Sequence, residues 1–179
     1  MRRSLYVFVF TAIALLAQPP ANDVPGSLAP YLPTPDSVVD QMLQAGGLKA
    51  GETMFDLGSG DGRIVIAAAK KYKANAIGVE LDDTLAATST QHISEMGLKT
   101  ARIIHGDLMN QDYSSADLVT VYLWPEANKK VARLLDIQLK KGARVVAHDF
   151  EMGDWVPTKT ITIPDDGTGR SHTLFVYIR

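Results

Sequence analysis

The sequence predicts an α/β fold, a doubly wound and mostly parallel sheet that closes with an antiparallel strand. From Tyr31 onward, short apolar runs alternate with amphipathic helical segments, the pattern of a parallel sheet covered on both faces. A glycine-rich turn, "DLGSGDGR", stands between the first strand and the helix that follows it. At the other end, "KTITIPDDGTGRSHTLFVYI" holds two strands joined by a turn, with no helix between them.

The elements follow in order. In "YLPTPDSVVDQMLQAGGLKAG" a helix starts at Thr34–Pro35, with threonine as N-cap and proline in the first helical position. Val38, Val39, Met42 and Leu43 form one apolar stripe, and Gly46–Gly47 end the helix. "TMFDL" is the first strand. "RIVIAAAKKY" is a helix, apolar at its start and basic at its end, as the helix dipole favours. "NAIGVEL" is a second strand, and "TLAATSTQHISEMG" a helix closed by Gly97. "ARIIHGDL" and "ADLVTVYLW" are strands three and four. The long helix "PEANKKVARLLDIQLKKG" leads to a fifth strand, "ARVVAHDF", and the terminal hairpin brings the total to seven.

Composition suits one soluble domain. The chain has 179 residues, 46% of them hydrophobic and 21% charged, and carries a net charge of −2. Nothing in that balance pulls toward nucleic acid, so no nucleic-acid partner is expected. There is no cysteine, which excludes disulfides, thiolate metal sites and a cysteine nucleophile. His92, His105 and His172 are scattered along the chain and suggest no metal site.

The first residues stand apart. Arg2 and Arg3 precede an apolar run from Leu5 to Ala17, and a proline-rich polar stretch follows. That is the pattern of an export signal, short for a membrane span, which needs about 20 apolar residues. The expected organisation is a signal-like leader over 1–17, a flexible linker over 18–30 and a single domain over 31–179. The leader implies export or association with a membrane.

The glycine-rich turn needs a ligand to explain it. Gly58, Gly60 and Gly62, with Ser59 between, sit where the first strand meets its helix. In a doubly wound sheet that turn lies at the carboxyl edge, where ligands bind. Bare backbone lets a ligand approach, and the helix start offers free N–H groups. The spacing is one residue tighter than the dinucleotide fingerprint, and Asp56 and Asp61 lie too close for a pyrophosphate. Those acids suit a ligand with an ammonium group and a small carboxylate, as in the methionine part of S-adenosylmethionine. Glu80, at the end of strand two, stands where a carboxylate accepts both ribose hydroxyls. Asp107, at the end of strand three, can accept from an adenine amino group.

At these residues the chain resembles the class I, seven-stranded S-adenosylmethionine-dependent methyltransferases, which have a Rossmann-like fold. "DLGSGDGR" is similar to their first motif, "GVELD" to the second-strand acid and "HGDL" to the adenine-side acid. A narrower resemblance lies in "YLPTP", "DLGSGDGRIVIAAAK", "VTVYLWPEANKK" and "HDFEMGDW". These look like the protein-lysine methyltransferases of the mitochondrial ADP/ATP carrier and the ATP synthase c subunit, and their bacterial relatives. That resemblance implies that Tyr31, Thr34 and Pro35 close over the cofactor. Because the cofactor is made in the cytosol, it also sets a cytoplasmic location against the leader.

Methyl transfer needs an acceptor aligned with the sulfonium methyl in a dry site. A lysine amine needs an acid to orient it and aromatic walls around it. Tyr122, Trp124 and Asp149, at the ends of strands four and five, are the expected catalytic residues, with His148 and Trp155 beside them. "YLWP" stands where amino-methyltransferases of adenine and glutamine carry an acid-Pro-Pro-aromatic motif. A protein acceptor, including a membrane-embedded one, fits the lean domain. A small-molecule acceptor, or cofactor binding without catalysis, stays open at this point.

Overall fold

The computed structural model describes residues 26–179, so the expected leader lies outside the described residues. Twelve elements succeed one another: α1 (Asp36–Ala45), β1 (Thr53–Leu57), α2 (Arg63–Tyr72), β2 (Asn75–Glu80), α3 (Asp83–Glu95), β3 (Ala101–His105), a 3₁₀ turn (Leu108–Asn110), β4 (Leu118–Val121), α4 (Pro125–Gln138), β5 (Arg144–His148), β6 (Lys159–Ile163) and β7 (His172–Ile178).

The strands form one seven-stranded sheet in the order β3-β2-β1-β4-β5-β7-β6. The first five run parallel, and β7 is antiparallel to both its neighbours. The chain reverses its direction of winding between β1 and β4. The carboxyl ends of those two strands therefore flank the crevice in which doubly wound sheets bind their ligands.

Alternation along each strand divides the core in two. Met54, Ala76, Leu118, Val146 and Leu174 pack against α1, α2 and α3 on one face. Phe55, Ile77, Val119, Val145 and Tyr177 pack on the other face, against α4 and the segment around Tyr113. Both faces are covered, as the near-continuous apolar strands require.

The entry to α1 differs from expectation. The helix begins at Asp36 with Pro35 as N-cap, and no side chain caps it. Thr34 is buried, and its hydroxyl meets His148 instead. The expected linker also joins the fold earlier than Tyr31, because Leu28 and Ala29 pack against the core.

Candidate active site

A cleft of about 280 Å³ opens at the carboxyl ends of β1, β2 and β4. One wall is the segment from Gly26 to Thr34, which passes over the glycine turn as a strap. Of the residues expected to bind cofactor, Tyr31, Thr34, Asp56, Gly58, Ser59, Gly60, Asp61, Glu80 and Asp107 all line the cleft. Gly62 does not. It is the N-cap of α2 at φ +78, and a Cβ there would stand 3.0 Å from that of Ser89. Its role is close packing of α2 on α3.

The polar groups of the cleft fall into two kinds. Some are already tied to protein. The Glu80 carboxylate accepts from the backbone N–H of Gly60 at 2.6 Å and from those of Leu81 and Asp82, both at 2.9 Å. Asp107 caps the 3₁₀ turn, accepting from Met109 N–H at 2.8 Å. Asp61 accepts a forked bond from Arg63, whose Nη1 also donates to the Thr34 carbonyl at 2.9 Å. Burial pulls the Asp61 carboxyl upward, but the Arg63 hydrogen bonds outweigh it and hold it below its usual value. Burial and the Asp61 carboxylate together raise the Tyr31 phenol.

Asp56 is of the other kind. It is 3% exposed and receives a hydrogen bond from Thr120 Oγ1 at 2.7 Å. Burial pushes its carboxyl up to about 7; the Thr120 bond opposes this, and the carboxylates of Glu80 and Asp61 add to it. Beside it the buried Ser59 hydroxyl has no partner among the described residues. A cation-poor, carboxylate-lined pocket with an orphan hydroxyl and open glycine backbone suits a ligand bearing an ammonium group and hydrogen-bonding edges.

The residues expected to serve the acceptor follow β4 and β5, beside the start of β7. Tyr122 lines the cleft, and its ring centroid is 3.9 Å from that of His148. Phe150 stacks beyond Tyr122, and the exposed Trp124 stacks on Phe150. Asp149 does not line the cleft; its Oδ2 accepts from the Tyr122 hydroxyl at 3.4 Å, and its Oδ1 from Thr173 N–H at 2.9 Å. It also adopts φ +59, so it turns the chain out of β5 on the way to β6 as well as facing Tyr122.

Two expectations are corrected here. Trp155 sits away from the cleft, bonded to Asp136 and covered by the Arg179 guanidinium. His172 is not isolated: it begins β7 and touches both His148 and Asp149. Burial lowers the His148 imidazole to about 4, so that ring is neutral. The sequence reading missed Thr120 and Arg63. An apolar-flanked threonine and a helix-first arginine carry no signal until the strand register and the strap are known.

Fold and site together define a class: this is an S-adenosylmethionine-dependent methyltransferase. The model of the ANTKMT methyltransferase domain matches residues 56–159, and the chain belongs to that family. It is 36% identical to the protein-lysine N-methyltransferase of Saccharolobus islandicus (strain REY15A), over 83% of this chain and 92% of that protein. It is 34% identical to the adenine nucleotide translocase lysine N-methyltransferase of Mus musculus, over 90% of this chain and 70% of that one. Among solved structures, an RNA methyltransferase from Salinibacter ruber in complex with S-adenosyl-L-homocysteine is 38% identical, with a TM-score of 0.76, covering 82% of this chain and 93% of that one.

Proposed function

We propose that this protein transfers a methyl group from S-adenosylmethionine to a lysine amine of a protein acceptor. The observation that carries the acceptor class is the wall of Tyr122, Phe150 and Trp124, which runs from the cleft to the surface with Asp149 behind it. Flat aromatic faces guide a long aliphatic amine and stabilise positive charge on its nitrogen. Relatives named as protein-lysine methyltransferases support the same reading.

The cofactor, when bound, supplies an electrophilic methyl on a sulfonium. The work of the chain is binding, orientation and exclusion of water. Asp56 would hold the ammonium and Ser59 the adjacent carboxylate, with the bare N–H groups of the glycine turn. Glu80 would take the ribose hydroxyls and Asp107 the adenine amino group. The strap with Tyr31 and Thr34 keeps water out. On the acceptor side, Tyr122 would orient the amine with its ring and hydroxyl. The Asp149 carboxylate behind it favours the cation formed on nitrogen.

The test uses S-adenosylmethionine with a heavy methyl group, incubated with the full chain and a set of membrane and soluble proteins. Mass spectrometry should find heavy methyl on lysine. Label recovered in RNA or a small molecule, with protein lysines unlabelled, would overturn the acceptor class and leave the methyltransferase standing.

A further inference from the structure

Three donor atoms meet behind Tyr122. His148 Nε2 lies 2.9 Å from His172 Nδ1, and His172 Nδ1 lies 3.0 Å from Asp149 Oδ2. The third side, His148 Nε2 to Asp149 Oδ2, is 3.4 Å. Both imidazoles are buried. The other nitrogen of each ring is already occupied. His148 Nδ1 faces the Thr34 hydroxyl at 3.3 Å, and His172 Nε2 faces Asp166 Oδ2 at 3.3 Å. The Asp166 side chain is itself 2% exposed.

His172 stands between two carboxylates, Asp149 Oδ2 at Nδ1 and Asp166 Oδ2 at Nε2, and a carboxylate only accepts. His148 Nε2, His172 Nδ1 and Asp149 Oδ2 form a compact donor triangle, with the ligand types and the ligand number of an open zinc site.

We propose that His148 Nε2, His172 Nδ1 and Asp149 Oδ2 bind one divalent first-row metal ion, zinc by choice of geometry. An ion roughly 2.1 Å from each atom would sit about 1 Å above their plane, with a fourth position left open; the His148–Asp149 edge has the tetrahedral spacing, and the two shorter edges would open by about 0.4–0.5 Å on binding. Two imidazoles and one carboxylate suit zinc rather than calcium or magnesium, which take oxygen. Asp166 and Thr34 would orient the rings from outside, as partners of metal-binding histidines do. The ion would join the end of β5, the start of β7 and, through Thr34, the strap. The site does not depend on which acceptor is methylated; with the ion bound, the Asp149 charge serves the metal, and the aromatic wall alone stabilises the cation formed on the amine.

The test is direct. The full chain, purified without a histidine tag and stripped with chelator, is titrated with zinc alone by calorimetry and followed by thermal unfolding. One zinc should bind per chain and raise the unfolding temperature, and cobalt in its place should give a tetrahedral ligand-field spectrum. His172→Ala should lose this binding, and His105→Ala, at the exposed end of β3, should keep it. Asp166→Asn leaves the three ligands in place and should weaken zinc about 10–100-fold; it decides the matter if His172→Ala does not fold. The competing arrangement is a metal-free hydrogen-bonded cluster of the same three side chains. Absence of heat and of any thermal shift with zinc, or zinc binding that survives His172→Ala, would overturn the proposal.

Discussion

Thr120 and Asp56 are direct register partners across β4 and β1, and the threonine hydroxyl donates to the carboxylate at 2.7 Å in the floor of the cleft. Burial raises the Asp56 carboxyl to about 7, well above its usual 3.8. Between those values the folded chain holds a proton that the unfolded chain has lost, so the free protein loses stability as pH rises from about 4 to 7. The ammonium of the cofactor favours the ionised form. Affinity for S-adenosylhomocysteine should therefore climb by up to about tenfold per pH unit toward pH 7 and flatten above it. In Asp56→Asn both dependences should vanish, with weaker binding and a more stable free protein at pH 8. Calorimetry and thermal melts across pH measure both, and a flat wild-type profile would show that Asp56 does not face the ammonium.

Gly60 has φ +53, and a Cβ there would stand 2.7 Å from Tyr31 Cε2. Gly60→Ala should cost about 1 kcal/mol in stability from the left-handed backbone alone. It should also push the Tyr31 ring off the turn and weaken cofactor binding. Gly62→Ala is the contrast, since it lies outside the cleft: stability should fall, with cofactor affinity in the folded fraction preserved. Equal loss of affinity in both variants would count against this division of roles.

Glu80→Ala should do more than remove a ribose acceptor. Its carboxylate takes three backbone N–H groups from two loops. Hydrogen bonds to a charged group contribute about 1.5–3 kcal/mol, so the variant should melt markedly earlier even without cofactor. Unchanged melting with lost binding would mean that the loops hold themselves.

Arg63 grips Asp61 with one edge of its guanidinium and the Thr34 carbonyl with the other. Arg63→Lys keeps the charge and loses the fork. Being about a third exposed, the pair should cost only about 1.5 kcal/mol. The larger effect should be on cofactor affinity, through a loosened strap. Proteolysis of the strap, slowed by S-adenosylhomocysteine in the wild type and unprotected in Arg63→Lys, would reveal it.

Trp124 is the exposed end of the aromatic wall. Trp124→Ala should leave cofactor affinity unchanged and lower kcat/KM for a protein acceptor by roughly 3–30-fold, the worth of one cation–π contact of about 0.5–2 kcal/mol. Steady-state kinetics with a labelled acceptor decide this. An unchanged ratio would assign Trp124 to packing on Phe150.

The cofactor side was legible because its residues are consecutive or sit at strand ends. Asp56, Glu80 and Asp107 follow directly from where the apolar runs stop. The acceptor side was legible only in part. His172 opens the last strand, and its partners His148 and Asp149 lie on β5. They meet because β7 inserts between β5 and β6 rather than adding at the edge, which local pattern does not reveal. Thr34 looked like a helix cap because threonine before proline caps helices. Its hydroxyl goes instead to a buried imidazole, a long-range contact that outbids the local one.

Thr34 belongs to both halves of the site. Its carbonyl accepts from Arg63 on the nucleoside side, and its hydroxyl meets His148 beneath the acceptor wall. A strap that moved to admit a nucleoside would carry this contact with the imidazole along with it. Any coupling through Thr34 would run equally in both directions: by whatever factor the cofactor tightened the hold on an acceptor, the acceptor would tighten the hold on the cofactor.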